Sequence, residues 1–139
     1  MKKKIKKVKF GLKKLPEVLA VYLFGLSVAR LDHRFSDLDV GVVVVKPEDI
    51  FNSPKETLRL YERFFDVLSP LVENSDKLDL VFLQKTPFSL QKKVVLSGKL
   101  VYCKDIQQLL DYKEKVILKY ADIKPVYKQF YKEVYNTRL

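Results

Sequence analysis

Three aspartates stand where apolar segments begin, and their spacing could support metal chemistry. Asp37 and Asp39 lie at the start of the apolar run Leu38–Val45, and Asp79 lies near the start of Lys77–Gln84. Side chains two residues apart in a strand project to the same face, so we expect Asp37 and Asp39 to project together. Two close carboxylates repel each other, and a divalent cation such as Mg²⁺ removes that penalty. If the two strands are neighbours, Asp79 joins the cluster, and three carboxylates around two Mg²⁺ ions would support displacement at phosphorus.

A turn upstream of the aspartates has the residues of a phosphate-binding loop. Gly25 follows an apolar segment and would let the backbone approach a ligand closely. Ser27 and the amides after it could open a short helix whose N-terminus binds anions. Arg30 could neutralise phosphate oxygens. Ser36, directly before Asp37, is a further candidate. We therefore predict that these four residues contact a phosphate group.

Each of these features also has an ordinary interpretation. The tetrapeptide Ser36–Asp39 is common in turns, and Asp79 alone is typical of a charge at a strand edge. Arg30 and His33 are of types usually found in exposed loops. His33 is the only histidine, and its loop position does not favour a general base. The combination of glycine, serine, two spaced aspartates and a later aspartate on a strand favours the functional interpretation.

The elements that must position these residues follow from the hydrophobic pattern. Apolar runs predict strands, and apolar residues at helical spacing predict helices. Asp105 is expected to cap the last helix, which Pro125 should kink. In chain order we predict a helix over 3–14, a strand over Val18–Phe24, a short helix or loop over 26–35, a strand over Leu38–Val45, a helix from about 54 to 68, a strand over Lys77–Gln84, a helix from Pro87 to Gly98, a strand over Lys99–Cys103 and a helix from Asp105. This order predicts an α/β or α+β fold with a small sheet and helices on at least one face.

Length and composition narrow the class of protein. The 139 residues suit one domain over 1–139, with a C-terminal helical segment at about 105–137 packed on it. No apolar run is long enough for a transmembrane helix, and the basic start lacks the features of a signal peptide. Cys103 is the only cysteine, so an internal disulfide is impossible and the cytoplasm is the expected location.

The net charge of +10 predicts an attraction for negatively charged partners. Eight lysines and no acidic residue occur in the first fourteen residues. Such a segment attracts phosphates, nucleic acid or an acidic protein. A solvated, lysine-rich helix with no partner has the same composition, so nucleic-acid binding stays open at this point.

The motifs resemble the nucleotidyltransferase superfamily with a DNA-polymerase-β-like fold. Its pattern is Gly-Ser, a gap of about ten residues, Asp-x-Asp and a distal Asp. More narrowly, the chain is similar to minimal nucleotidyltransferases (MNT, MntA-like), single-domain antitoxins paired with HEPN toxins. The resemblance covers about residues 15 to 135 and is carried by "VYLFG", "SDLDVGVVV", "KLDLVFL", "LQKKVVLSGKLVYCKD" and "LKYADIKPVYKQFY".

This resemblance implies a concrete site and reaction. It implies that Asp37 and Asp39 hold the Mg²⁺ ions that bridge an ATP triphosphate. Asp79 would complete the site of the metal that faces the attacking hydroxyl, and Gly25 and Ser27 would cradle the β- and γ-phosphates. Such proteins transfer AMP from ATP to a tyrosine of the HEPN partner, which silences its RNase activity.

The turn departs from the family pattern, and two other hypotheses stay open. In "GLSVARL", Leu26 occupies the position of the family's serine, Ser27 comes one residue later and Leu31 replaces the second glycine. This favours an antitoxin with weak or lost catalysis that neutralises its toxin by covering the toxin's active site. The basic N-terminus favours a nucleotidyltransferase that acts on RNA or a small molecule.

Overall fold

A four-stranded mixed sheet forms the centre of the fold. The protein is seen in a computed structural model that describes residues 2–25 and 37–119. The strands are β1 (Val18–Phe24), β2 (Leu38–Val44), β3 (Leu78–Phe82) and β4 (Lys99–Cys103), in the spatial order β3-β2-β1-β4. β1 is antiparallel to both of its neighbours, whereas β2 and β3 are parallel. The predicted mixed α/β class is confirmed.

Helices flank the sheet, and their ends follow local sequence signals. They are α1 (Lys2–Leu12), α2 (Pro47–Ile50), α3 (Pro54–Leu68), α4 (Phe88–Ser97) and α5, which covers residues 106–119. Ser53 caps α3, where its Oγ accepts a hydrogen bond from the Glu56 amide at 3.4 Å. The predicted cap of α5 is confirmed, because Asp105 Oδ1 accepts hydrogen bonds from the amides of Gln107 and Gln108. Those hydrogen bonds, chiefly the ones from Gln108, lower the pKa of Asp105.

Each face of the sheet has its own apolar core. The first face packs against α1 and α3 and includes Val8, Leu12, Leu60, Phe64, Leu68, Leu38, Val40 and Val42. The second face packs against α4 and α5 and includes Tyr22, Val43, Val94, Val95, Leu109 and Val116. β1 and β2 are apolar on both faces because both of their faces are buried, as expected of central strands.

The predicted bounds of several elements differ slightly from the observed ones. The strands predicted to reach Val45 and Gln84 end at Val44 and Phe82, where a bend and a short 3₁₀ turn follow. The short helix α2 was not predicted. The segment 26–35 and Pro125 lie outside the described residues. Within the part of the chain that the structure covers, no helix combines the length and apolar character needed to cross a membrane.

The buried Tyr22 and the partly buried Tyr112 give opposite predictions for stability. The Tyr112 hydroxyl donates a 2.6 Å hydrogen bond to Gln91 Oε1, and Gln91 is itself buried. The Tyr22 hydroxyl is buried with no hydrogen-bond partner among the described residues, and burial raises the pKa of Tyr22 to about 12. We expect Tyr112→Phe to lower the free energy of unfolding by about 1–2 kcal/mol, because it leaves Gln91 Oε1 without its hydrogen-bond donor, whereas Gln91 Nε2 keeps its bond to the Thr86 carbonyl. Tyr22→Phe should leave stability unchanged or raise it.

Urea unfolding of the two variants beside wild type measures this difference. Each variant removes one hydroxyl from the same core, so it serves as the control for the other. Equal losses of stability in both would contradict the hydrogen-bond assignment.

Candidate active site

Asp39 and Asp79 lie side by side on neighbouring strands. β2 and β3 pair in parallel, and their register sets Asp39 opposite Asp79 and Leu38 opposite Leu78. Directly paired residues project to the same face, so both carboxyl groups lie on the α4 and α5 side of the sheet. They lie at the end where β2 and β3 begin and β1 ends. The neighbouring strands that the sequence analysis required are therefore present.

The electrostatics of Asp39 indicate a site built for a cation. Burial, a hydrogen bond to Asp79 and the negative charges of Asp79 and Asp37 together raise the pKa of Asp39 to about 6. With no cation between the two carboxyl groups, Asp39 therefore holds a proton up to a higher pH than an ordinary aspartate, and below about pH 6 that proton can lie in the hydrogen bond with Asp79. A divalent cation would replace that proton and allow both carboxylates to ionise.

Gly25 forms one wall of the same site. It follows β1 directly and has a φ of 87°, in the left-handed region that favours glycine. A Cβ atom built on Gly25 would collide with Asp39 Oδ2. The Asp39 carboxylate therefore lies against the backbone of the turn after β1, and only the absence of a side chain makes room for it.

Asp37 is close in sequence but differs in its surroundings. Its side chain is 68% exposed, and its Oδ1 lies 4.0 Å from Lys77 Nζ. The parallel register explains this contact, because the segment Asp37-Leu38-Asp39 runs beside Lys77-Leu78-Asp79. Within residues 2–25 and 37–119, no group of three or more His, Cys, Asp or Glu side chains is arranged to hold a metal ion. Asp39 and Asp79 are therefore in direct contact, whereas the role of Asp37 as a metal ligand stays a prediction.

Other predicted contacts fall where the structure gives no description. Ser27, Arg30 and Ser36 lie outside the described residues, so their roles stay predictions. Sequence reasoning did not include Lys77, the cation next to Asp37. The repeated pattern x-Leu-Asp at 37–39 and 77–79 was the signal that could have found it, once the strands were assumed to pair in register.

A separate cavity of about 470 Å³ lies at the other end of the sheet. Its lining includes Val44, Glu48, Gln84, Gln91 and Tyr112, and α5 forms one side of it. Neither Asp39 nor Asp79 lines this cavity. The size of a cavity is therefore not a guide to the carboxylate site in this protein.

The residues at the carboxylate site fit Mg²⁺. Asp39 and Asp79 supply hard, negatively charged oxygen ligands whose mutual repulsion a dication removes. Mg²⁺ commonly takes one or two carboxylates and completes its octahedral shell with water and phosphate oxygens. Two carboxylate ligands, Asp39 and Asp79, are therefore enough for an Mg²⁺ ion whose other ligands are water and the phosphate oxygens of a nucleotide.

Comparison with known proteins identifies the family. The sequence profile described as polymerase beta nucleotidyltransferase matches residues 3–107, which include both strands of the carboxylate site. The chain belongs to the polymerase beta nucleotidyltransferase family. None of the curated proteins compared matches the chain.

Solved structures share this fold over almost the full length of the chain. A chain of the toxin–antitoxin complex MntA-HepT is 21% identical, with a TM-score of 0.64 and coverage of 96% of this chain and 98% of that one. A chain of a toxin–antitoxin complex with AMP-PNP is 24% identical, with a TM-score of 0.65 and coverage of 95% and 96%. A complex from Shewanella oneidensis, of a tri-AMPylated HEPN toxin with an MNT antitoxin, matches at 21% identity and a TM-score of 0.65, with coverage of 96% and 97%.

Magnesium should stabilise the folded protein through Asp39. We expect Mg²⁺ to raise the melting temperature of wild type by a few degrees, because a ligand that binds only the native state shifts the unfolding equilibrium. In Asp39→Asn this shift should be much smaller, since one charged ligand is lost. In metal-free buffer Asp39→Asn should melt above wild type, because one of two adjacent negative charges is gone.

Differential scanning fluorimetry with and without Mg²⁺ measures these shifts. Asp66→Asn is the matched control, because Asp66 is an exposed aspartate on α3, which packs on the other face of the sheet. A Mg²⁺ response in Asp39→Asn equal to that of wild type would show that the ion binds elsewhere.

Proposed function

We propose that this nucleotidyltransferase is the antitoxin of a toxin–antitoxin pair and transfers AMP from ATP to a tyrosine of a HEPN RNase toxin in the cytoplasm. The observation that carries the proposal is the register that sets Asp39 against Asp79 beside the left-handed Gly25. The family membership supports nucleotidyl transfer. Solved structures similar over nearly the whole chain come from toxin–antitoxin complexes, one of them with a tri-AMPylated HEPN toxin and another with AMP-PNP.

The proposed residue roles divide into metal ligands and phosphate contacts. Asp39 and Asp79 would bind Mg²⁺, and Asp37 is proposed as a third ligand because it precedes Asp39 by two residues and adds negative charge to the site. Two Mg²⁺ ions, when bound, would neutralise the phosphoryl oxygens and lower the pKa of the attacking hydroxyl. Gly25, Ser27, Arg30 and Ser36 are proposed to contact the triphosphate.

The reaction balances as an in-line displacement at the α-phosphorus. The oxygen of the tyrosine hydroxyl forms a bond to the α-phosphorus of ATP, and the bond from that phosphorus to the bridging oxygen breaks. Pyrophosphate leaves with the electron pair, and the hydroxyl proton passes to solvent. Positioning and charge neutralisation supply most of the rate enhancement in phosphoryl transfer. The chain's contribution is thus to hold the carboxylates and the phosphate loop in one geometry.

The test uses as acceptor a HEPN protein that binds this chain, sought first in the reading frames adjacent to its gene. The two proteins are incubated with Mg²⁺ and ATP labelled at the α-phosphate, and intact mass and peptide mapping locate any added AMP. We expect label on a tyrosine of the toxin together with loss of its RNase activity. Incorporation of AMP that does not require Mg²⁺, or incorporation only on residues other than tyrosine, would contradict the proposal.

A second candidate function rests on the departure at Leu26. If the displaced Ser27 no longer serves the triphosphate, the protein would neutralise the toxin by occluding its active site. Calorimetry separates the two functions, because an occluding antitoxin would bind the toxin tightly without binding ATP and Mg²⁺. RNase inhibition with no incorporation of AMP would favour this second function.

A further inference from the structure

The exposed face of α1 is a dense cluster of positive charge. Seven lysines with exposed side chains lie on α1 or the turn after it: Lys3, Lys4, Lys6, Lys7, Lys9, Lys13 and Lys14. The ion pairs found among the described residues use Arg59, Arg63 and Lys77, and none uses these seven lysines. The acidic residue nearest to them in sequence, Glu17, is paired with Arg63 at 3.1 Å.

This arrangement works against the stability of the helix itself. The first turn of α1 contains no acidic residue, so lysines lie at the positive end of the helix dipole. Lys3 and Lys7, and likewise Lys9 and Lys13, are four residues apart and repel each other across one turn. A bound polyanion would be attracted both to the positive end of the helix dipole and to the closely spaced lysines, so it would offset both sources of repulsion.

An exposed aromatic ring lies in the middle of the lysines. Phe10 is 62% exposed, and Lys14 Nζ lies 4.4 Å from the centre of its ring. At 100° per residue, the exposed arc of the helix runs from Lys9 through Phe10 to Lys7, with lysines on both sides of the ring. A positively charged surface with an accessible aromatic ring is the combination that binds single-stranded nucleic acid, where lysines contact phosphates and a base stacks on the ring.

The other side of α1 argues against a membrane as the partner. A helix that lies on a membrane inserts its apolar face into the lipid. In this protein the apolar face of α1 is already used, because Val8 and Leu12 are buried in the first core. Only the basic face with Phe10 is available to a partner.

We propose that the exposed face of α1 binds single-stranded RNA, with lysines on the phosphates and Phe10 stacked on a base. The choice of RNA over DNA rests on the proposed function, in which the partner is a ribonuclease; the choice of a single-stranded polynucleotide does not. α1 packs on the face of the sheet opposite to the Asp39 and Asp79 carboxyl groups. RNA binding by α1 is therefore separable from nucleotidyl transfer.

The test measures binding of a fluorescent single-stranded RNA oligonucleotide to the full chain without ATP or toxin. We expect the logarithm of affinity to fall with the logarithm of salt concentration with a slope of about −3, as for roughly four phosphate contacts on a single strand. The double reversal Lys6→Glu/Lys13→Glu should weaken binding by more than tenfold and make that slope shallower by about 1 or more. It should not disrupt folding, because it removes lysine repulsion.

A matched control changes the same net charge elsewhere. Lys93→Glu/Lys115→Glu reverses two exposed lysines on α4 and α5, the helices on the other face of the sheet. We expect this variant to bind RNA with an affinity close to that of wild type. Equal weakening in both double variants would show a general effect of net charge and would overturn the assignment to α1.

Phe10 variants separate stacking from simple attraction. The chain contains no tryptophan, so Phe10→Trp introduces a single tryptophan, whose emission can be excited apart from that of the eight tyrosines. This variant should retain binding, and its tryptophan should be quenched when a base stacks on it. Phe10→Leu should weaken binding by about tenfold, because it keeps an apolar side chain but loses the ring. Unquenched tryptophan with saturated RNA would overturn the stacking contact.

The remaining arms examine other partners. Poly-glutamate and vesicles of anionic lipid, compared at equal charge concentration, should bind more weakly than RNA because they offer no base to the ring. Equal or tighter binding of either one would replace RNA with that partner, and tighter binding of single-stranded DNA of the same sequence would overturn the choice of RNA. If the protein binds RNA but does not transfer AMP, the proposed function fails and this inference stands. If it transfers AMP but does not bind RNA, this inference fails and the proposed function stands.

Discussion

Asp39→Asn is expected to lower the rate of AMP transfer to the toxin by more than 100-fold while the protein stays folded. The substitution keeps the shape of the side chain and removes the charge of the carboxylate that contacts Asp79. Loss of an outer-shell partner of a metal site reduces activity by about 10–100-fold, and loss of a direct ligand should exceed that. The measurement is the initial rate of incorporation of labelled AMP at saturating Mg²⁺.

The control for this experiment is another charge-neutralising change at an aspartate. Asp66→Asn on α3 should transfer AMP at the wild-type rate, because Asp66 lies on the helix that covers the other face of the sheet. Asp79→Asn should resemble Asp39→Asn. If Asp39→Asn labelled the toxin as fast as wild type, the carboxylate pair would not be the metal site and the proposed mechanism would be wrong.

Gly25→Ala should both destabilise the fold and abolish most of the transfer. The backbone at Gly25 is left-handed, and the added Cβ would collide with the Asp39 carboxylate, so the carboxylate or the turn must move. A non-glycine residue in this region costs about 1–2 kcal/mol, and the collision adds to that cost. We therefore expect a lower melting temperature and at least a 100-fold slower transfer, because displacement of about 1 Å in a catalytic site can cost that factor.

Gly11→Ala is the matched control for the change at Gly25. Gly11 lies on α1, where a Cβ would meet Val67 Cγ1 at 2.9 Å, the end of a side chain that can rotate. Its effect should be confined to stability, with transfer per folded molecule unchanged. Full transfer by Gly25→Ala would mean that the turn after β1 does not form a wall of the catalytic site.

The strands and helices were predictable where the residue pattern reports burial directly. Two strands, Val18–Phe24 and Lys99–Cys103, have the predicted bounds. The first is a run of apolar residues that ends at Gly25, and the second is a short, mostly apolar run that begins after Gly98. α3 was predicted from about 54 to 68 by its proline start and by the spacing of Leu58, Tyr61, Phe65 and Leu68. The helix is confirmed, but its buried residues are Leu60, Phe64 and Leu68, so the predicted apolar face was wrong except at Leu68. The four-residue α2 was too short to show a period and was missed.

The arrangement of the strands was not predictable from the same patterns. The positions of β4 beside β1 and of β3 beside β2 depend on contacts between residues far apart in the chain, which hydrophobic periodicity does not record. For the site, the pattern placed Asp39 and Asp79 at strand starts, and only the parallel register showed that they meet. The same register turned Asp37 toward Lys77, a contact that the three-aspartate hypothesis did not include.

The parallel pairing of β2 with β3 has a consequence for synthesis of the protein. Parallel strands cannot be joined by a hairpin, so the chain must pass through α3 before β3 can lie beside β2. A ribosome therefore exposes Asp39 well before Asp79 exists, and pairing across this separation is among the slower steps of folding. If the carboxylate pair is the catalytic site, as we propose, a nascent chain is inert until β3 has emerged and joined the sheet, and modification of any newly made toxin would lag behind synthesis of this protein.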